Sequence, residues 1–108
     1  MTSIDLSKNI SLSSLNLSNN QLTSIDFSKN LNLNILGLTS NKLTTLDVSK
    51  NTKLEELNCY GNQLTSIDLS NNTSLKTLTL SYNKLTELSL KNNVNLTKVN
   101  AVGNQFNC

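Results

Sequence analysis

Asn20, Asn41, Asn62, Asn83 and Asn104 follow one another at intervals of 21 residues without a slip, and a second file, Asn9, Asn30, Asn51, Asn72 and Asn93, keeps the same step. A fixed period of this size constrains the fold more than any local propensity does, because each period is one unit that must stack on the next. The apolar positions keep the beat in six columns, for example Leu15, Leu36, Leu57, Leu78 and Val99. The other five begin at Ile4, Leu6, Leu12, Leu17 and Leu22. Five such units account for nearly the whole chain. The string NQLTSID, at Asn20 to Asp26 and again at Asn62 to Asp68, recurs after two periods, and Gln21, Lys42, Gln63, Lys84 and Gln105 alternate in step with it. That alternation points to growth by duplication of a two-unit block, and marks the string as scaffold.

Composition agrees with a repeat and not with a compact globule. The 108 residues include two Phe, two Tyr and no Trp, and the apolar content is nearly all Leu. Regular leucine placement and a net charge of only +2 argue against disorder. Nine Lys are spread evenly without a single Arg, so there is no basic stripe and no nucleic-acid partner is expected. No apolar run is long enough for a membrane-spanning helix, so membrane insertion is not expected either. The opening MTSIDLSKN lacks the pattern of an export signal, which leaves two locations open: cytoplasmic, or surface and secreted with the signal not present in this chain.

Columns that never shift are what a solenoid requires, since every inward side chain sits over its equivalent in the next coil. Within a unit, L-x-x-L-x-L followed by x-x-N reads as a short strand that turns out of the core. The segment L-T-x-L-D-L-S-x-N repeats this grammar ten residues later, which leaves open a second strand per coil and ladders on both walls. No stretch sustains a helical period, so the fold class is mainly β: a right-handed solenoid of about five 21-residue coils with parallel strands and little or no helix. Inward asparagines at the corners would bond the carbonyls and amides of their own turn and stack amide on amide with the next coil.

The segment LEELNCYGNQLTSIDLSNNTS resembles a leucine-rich repeat, L-x-x-L-x-L-x-x-N, and more narrowly the bacterial 21-residue class found in a listerial internalin subgroup and in Bacteroidetes surface proteins. Cys59 stands where members of that subgroup often replace the last Leu of the motif with Cys. The resemblance covers residues 3 to 107 and implies a binding module, mostly of cell-surface or secreted proteins, whose exposed strand positions form the ligand face. Against the family pattern, residues 1–108 read as a single solenoid without terminal caps, a fragment whose open coil ends invite end-to-end self-association.

Four places carry candidate chemistry. The column Asp5, Asp26, Asp47 and Asp68 stacks carboxylates about 5 Å apart, either as a weak cation site or as outward residues screened by Lys8, Lys29 and Lys50. Equivalent carboxylates with no His beside them do not make an acid and base pair, and no catalytic residue, metal site or cofactor is expected. Cys59 and Cys108 lie more than two coils apart, too far for an unstrained disulfide. The exposed sides of the strands differ from coil to coil, reading Asn16, Gly37, Asn58, Thr79 and Asn100, then Ser18, Thr39, Tyr60, Ser81 and Val102. Both tyrosines fall in adjacent coils here, and the candidate binding residues are Glu56, Asn58, Tyr60, Thr79, Ser81 and Tyr82. The expected function is a non-catalytic adhesion-type module that binds another protein or a surface glycan. The alternative is a structural or engineered repeat segment without a natural ligand.

Overall fold

The computed structural model describes residues 2–106. Five strands, β1 (Ser14–Asn16), β2 (Ile35–Gly37), β3 (Glu56–Asn58), β4 (Thr77–Thr79) and β5 (Lys98–Asn100), pair in chain order into one parallel sheet. The register is the repeat itself, with Leu15 opposite Leu36, Leu36 opposite Leu57, Leu57 opposite Leu78 and Leu78 opposite Val99. Each three-residue strand points its middle residue inward and its two flanks outward. Leu36, Leu57 and Leu78 are buried, whereas Val99 in the last coil is 46% exposed. The described residues contain no helix.

Five of the expected columns meet in one core that runs the length of the stack, filled by Leu22, Leu33, Leu43, Leu54, Leu64, Leu75 and their neighbours, with Phe27 as its largest member. The sixth is looser: Leu46 is buried, but Ile4, Ile25, Ile67 and Leu88 are half-buried. After each strand the chain passes through one residue of left-handed backbone, in turn Asn19 (φ 61°), Ser40 (58°), Gly61 (71°), Tyr82 (59°) and Gly103 (71°). This turn takes the chain off the sheet in every coil.

Apart from the exposed Asn9, the asparagines of both files are buried or half-buried; the first file bonds its own turn as expected, and both files also reach the preceding coil. Asn62 Nδ2 donates to the Cys59 carbonyl of its own coil at 3.1 Å and to the Leu38 carbonyl of the preceding coil at 2.9 Å. Its Oδ1 accepts the Leu43 N–H at 3.1 Å. Asn41 and Asn83 repeat this set one coil away, so each corner carbonyl collects two amide protons from successive asparagines. In the second file Asn51 Nδ2 donates to Phe27 O at 3.1 Å and Asn30 O at 2.9 Å, while its Oδ1 has no partner among the described residues. Asn30, Asn72 and Asn93 share that unpaired oxygen.

Among the described residues no second ladder forms, so the possible ladder on the other wall is not part of the architecture. Opposite the sheet, backbone bonds between coils occur at the NQL and NKL segments, such as Lys42 N–H to Leu22 O and Gln63 N–H to Leu43 O, both 2.8 Å. The following residues satisfy their backbone locally. The Asp26 carboxylate accepts the Ser28 N–H at 2.8 Å, and Asn30 N–H closes a turn onto Phe27 O at 3.0 Å. Asp5, Asp47 and Asp68 do the same with Ser7, Ser49 and Ser70. A side chain that caps its own backbone two residues on competes with ladder formation. The serine hydroxyl first, and its backbone N–H second, hold all four carboxyls below their ordinary value of 3.8.

Two measurements test this account. Asn62→Ala should cost about 3 kcal/mol in urea unfolding, because it removes two donated bonds and orphans the buried Leu43 N–H. Asn51→Ala orphans no donor and should cost about half as much; the reverse order would refute the division of labour between the files. The aspartates give the acid response. Their folded values lie below the unfolded ones, so the unfolded chain binds more protons on acidification. Stability should be level from about pH 7 to about pH 5 and fall as pH drops through 3.8. Changing all four to Asn keeps an Oδ1 acceptor for the turns and should flatten most of that fall, leaving the part due to Glu55, whose carboxyl Asn34 and Lys76 hold low. An undiminished acid limb in that variant would show that the turns are not its source.

Candidate functional site

The outward flanks of the five strands make a flat face in rows set by the register. The leading row reads Ser14, Ile35, Glu56, Thr77 and Lys98, and the second reads Asn16, Gly37, Asn58, Thr79 and Asn100. The asparagines of the second row are not loose. Asn58 Oδ1 accepts the Tyr60 N–H at 3.1 Å, and Asn16 Oδ1 accepts the Ser18 N–H at 3.0 Å. Each amide is thereby tied through its oxygen to the turn that follows its strand.

The row breaks at Gly37. Lacking a side chain there, the face sinks into a depression of about 320 Å³ that Glu56, Asn58 and Thr79 border together with Ser14, Ile35 and Thr77. Three of the six candidate residues from the sequence thus share one hollow. Ile35 and Thr77 were missed there because the comparison of coils began at the second row. The same 21-residue alignment applied two positions earlier identifies them.

Tyr60 and Tyr82 come together at the other side of Asn58. Their rings meet edge to face with centroids 5.3 Å apart, and they remain 42% and 55% exposed. Tyr82 occupies the left-handed turn position, where a bulky L-residue is strained by about 1–2 kcal/mol. Its ring lies on Gly103, so closely that a Cβ there would stand 2.5 Å from Tyr82 Cδ1. Ser81 does not belong to the exposed set. It is fully buried with its hydroxyl unpaired among the described residues, because it is the small residue between Tyr60 and Val102 in its row.

The remaining candidates lie elsewhere. The four aspartates sit on the opposite wall and are engaged in their serine turns. Among the described residues no group of three or more Asp, Glu or Cys is placed to hold a metal ion. Cys59 is a free, buried thiol, and desolvation pushes it up to about 12, where it has no nucleophilic character at neutral pH. The proposed separation of Cys59 from Cys108 involves a residue outside the described ones. Glu55 and Lys76 form an ion pair at 2.9 Å on the flank of the sheet, with Asn34 Nδ2 donating to the same carboxylate at 2.8 Å.

Comparison with known proteins agrees with this architecture. Residues 52–92 match the family Leucine Rich repeats (2 copies), and residues 11–31 match Leucine Rich Repeat, together more than half of the chain. Curated protein sequences give no match. Among solved structures, the functional domain of InlJ from Listeria monocytogenes, which includes a cysteine ladder, is 37% identical with a TM-score of 0.93. The match covers 95% of this chain and 23% of that one. A leucine-rich repeat protein of Leptospira interrogans is 31% identical with a TM-score of 0.83, over 90% of this chain and 27% of that one. The chain therefore spans about a quarter of the length of these two relatives. With the period, the single parallel ladder and the corner asparagines all in place, the chain belongs to the leucine-rich repeat proteins, in their bacterial form.

Proposed function

We propose that this solenoid is a non-catalytic recognition module of a bacterial surface or secreted protein, and that it holds a protein partner against the outward face of its sheet. The observation that carries this reading is the Tyr60–Tyr82 pair. Beside rows built mostly from Ser, Thr and Asn, with Ile35, Glu56 and Lys98 among them, two half-exposed aromatic rings stand in contact, one of them kept in a strained backbone. Strain of this kind persists where the surrounding structure holds it, and it clusters at functional sites. Tyr provides large contact area at small entropic cost, which suits it to anchor an interface while its small neighbours exclude water. Glu56, Asn58 and Thr79 line the neighbouring hollow of the same face and would supply polar contacts beside the rings. The likeness to the functional domain of InlJ from Listeria monocytogenes supports a bacterial leucine-rich repeat module and leaves the partner open.

The test is a double variant, Tyr60→Ser with Tyr82→Asn. Asn tolerates the left-handed turn, so relief of strain and loss of the ring contact offset one another and the fold should be kept. Partner capture should weaken at least about tenfold. Unchanged capture with an unchanged far-UV spectrum would remove the aromatic pair from the binding face.

A further inference from the structure

Gly37 is a residue that the scaffold does not explain. The glycines that the backbone demands are Gly61 and Gly103, both at φ +71°, whereas Gly37 sits in β2 with ordinary strand geometry. A Cβ at Gly37 would come close to the Asn16 amide, 3.3 Å from Oδ1 and 3.5 Å from Cγ, and lie 3.7 Å from Ser18 Oγ, yet Asn58, Thr79 and Asn100 carry a Cβ in the same row. A glycine inside a strand weakens it, and where φ does not ask for one it is often a place that something approaches closely. Gly37 lies in the lining of the depression already described, and a larger side chain there would take up part of its volume.

We propose that this depression is an anchor pocket for a basic side chain, arginine or lysine, of a protein partner; the proposal rests on the reading of the sheet face as the recognition surface. Among the residues that line it, Glu56 is the sole charged one. Its carboxylate makes no ion pair among the described residues, in contrast to Glu55, which holds Lys76. Lys98, the cation of the same row, lies beyond Thr77, roughly 10 Å from Glu56 by two strand spacings. Ile35 stands directly opposite Glu56 in the register and is 40% exposed. An apolar surface beside an unpaired carboxylate matches an amphipathic occupant, whose methylene stem lies on Ile35 while its cation reaches Glu56. The Ser14, Thr77 and Thr79 hydroxyls supply further acceptors for the remaining N–H groups. A neutral polyol would use those hydroxyls but leave both Ile35 and the carboxylate unmatched.

The probe is N-acetyl-arginine amide, titrated into the 15N-labelled chain while amide shifts are followed, with N-acetyl-citrulline amide as the uncharged isostere and methyl glucoside as the polyol. The arginine compound should produce saturable shifts centred on Gly37, Asn58 and Thr79, about fivefold tighter than citrulline. Glu56→Gln should reduce that preference to parity, and Gly37→Val, which fills the hollow, should abolish the shifts. The Tyr60→Ser/Tyr82→Asn variant should bind the probe as the parent does, because the rings do not line the hollow. Equal binding of citrulline, stronger binding of methyl glucoside, no saturable shift, or survival of the arginine preference in Glu56→Gln would each overturn the pocket. Those failures are separate from that of the aromatic anchor, which is read from partner capture alone.

Discussion

Every coil must leave its sheet, turn two corners and come back, and at each corner the backbone loses the strand neighbours that would pair it. The buried asparagine amides solve this problem. One carboxamide offers two protons and an acceptor on a short, stiff stem, and in the file through Asn62 all three are used on main-chain groups of two successive coils. An unpaired buried N–H or C=O would cost more than a typical hydrogen bond returns, so the corner chemistry decides whether leucine columns of this kind can be enclosed at all. The hydrophobic core is the larger driving force, but it is non-directional. The amides set the register in which the leucines meet.

The two files do not contribute equally. In the file through Asn51 the Nδ2 protons bridge coils while Oδ1 stays buried without a protein partner, in four successive repeats. The backbone there closes tight turns for itself, Asn51 N–H onto Val48 O and Leu54 N–H onto Asn51 O, so fewer donors need help. The aspartate turns add to this self-sufficiency. Together they make the wall opposite the sheet a sequence of local turns, and one ladder alone carries the regular stacking.

Much of this was legible in the sequence because a repeat reports each structural demand several times. Four equivalent leucines, Leu15, Leu36, Leu57 and Leu78, with their Val99 counterpart, fix an inward position more securely than any single propensity could. The second ladder was a false expectation for a physical reason: L-x-x-L-D-L has strand periodicity, but Asp followed two residues later by Ser has the means to bond its own backbone, and that local bond won. The direction of the asparagine bonds was hidden because spacing places a residue at a corner without showing which coil its amide reaches. Ser81 was misjudged since alternation places it outward, while its burial depends on the size of Tyr60 and Val102 on either side. The depression at Gly37 is likewise a property of neighbouring rows and not of one motif.

A solenoid that specifies its fold so redundantly can tolerate local departures, and the departures are informative for that reason. At the left-handed turn the chain uses Asn, Ser, Gly and Gly in four coils but Tyr82 in the remaining one. At the centre of the face it uses Asn three times, Thr once, and Gly37 in the remaining place. Neither substitution improves the scaffold: a Tyr at positive φ is strained, and a strand Gly gives up packing and entropy. Both fall on the same outward surface, within the span of β2 to β4 and the turn after it. Two local rules broken close together on one face, at a cost to the scaffold in each case, are what the proposed recognition surface would account for.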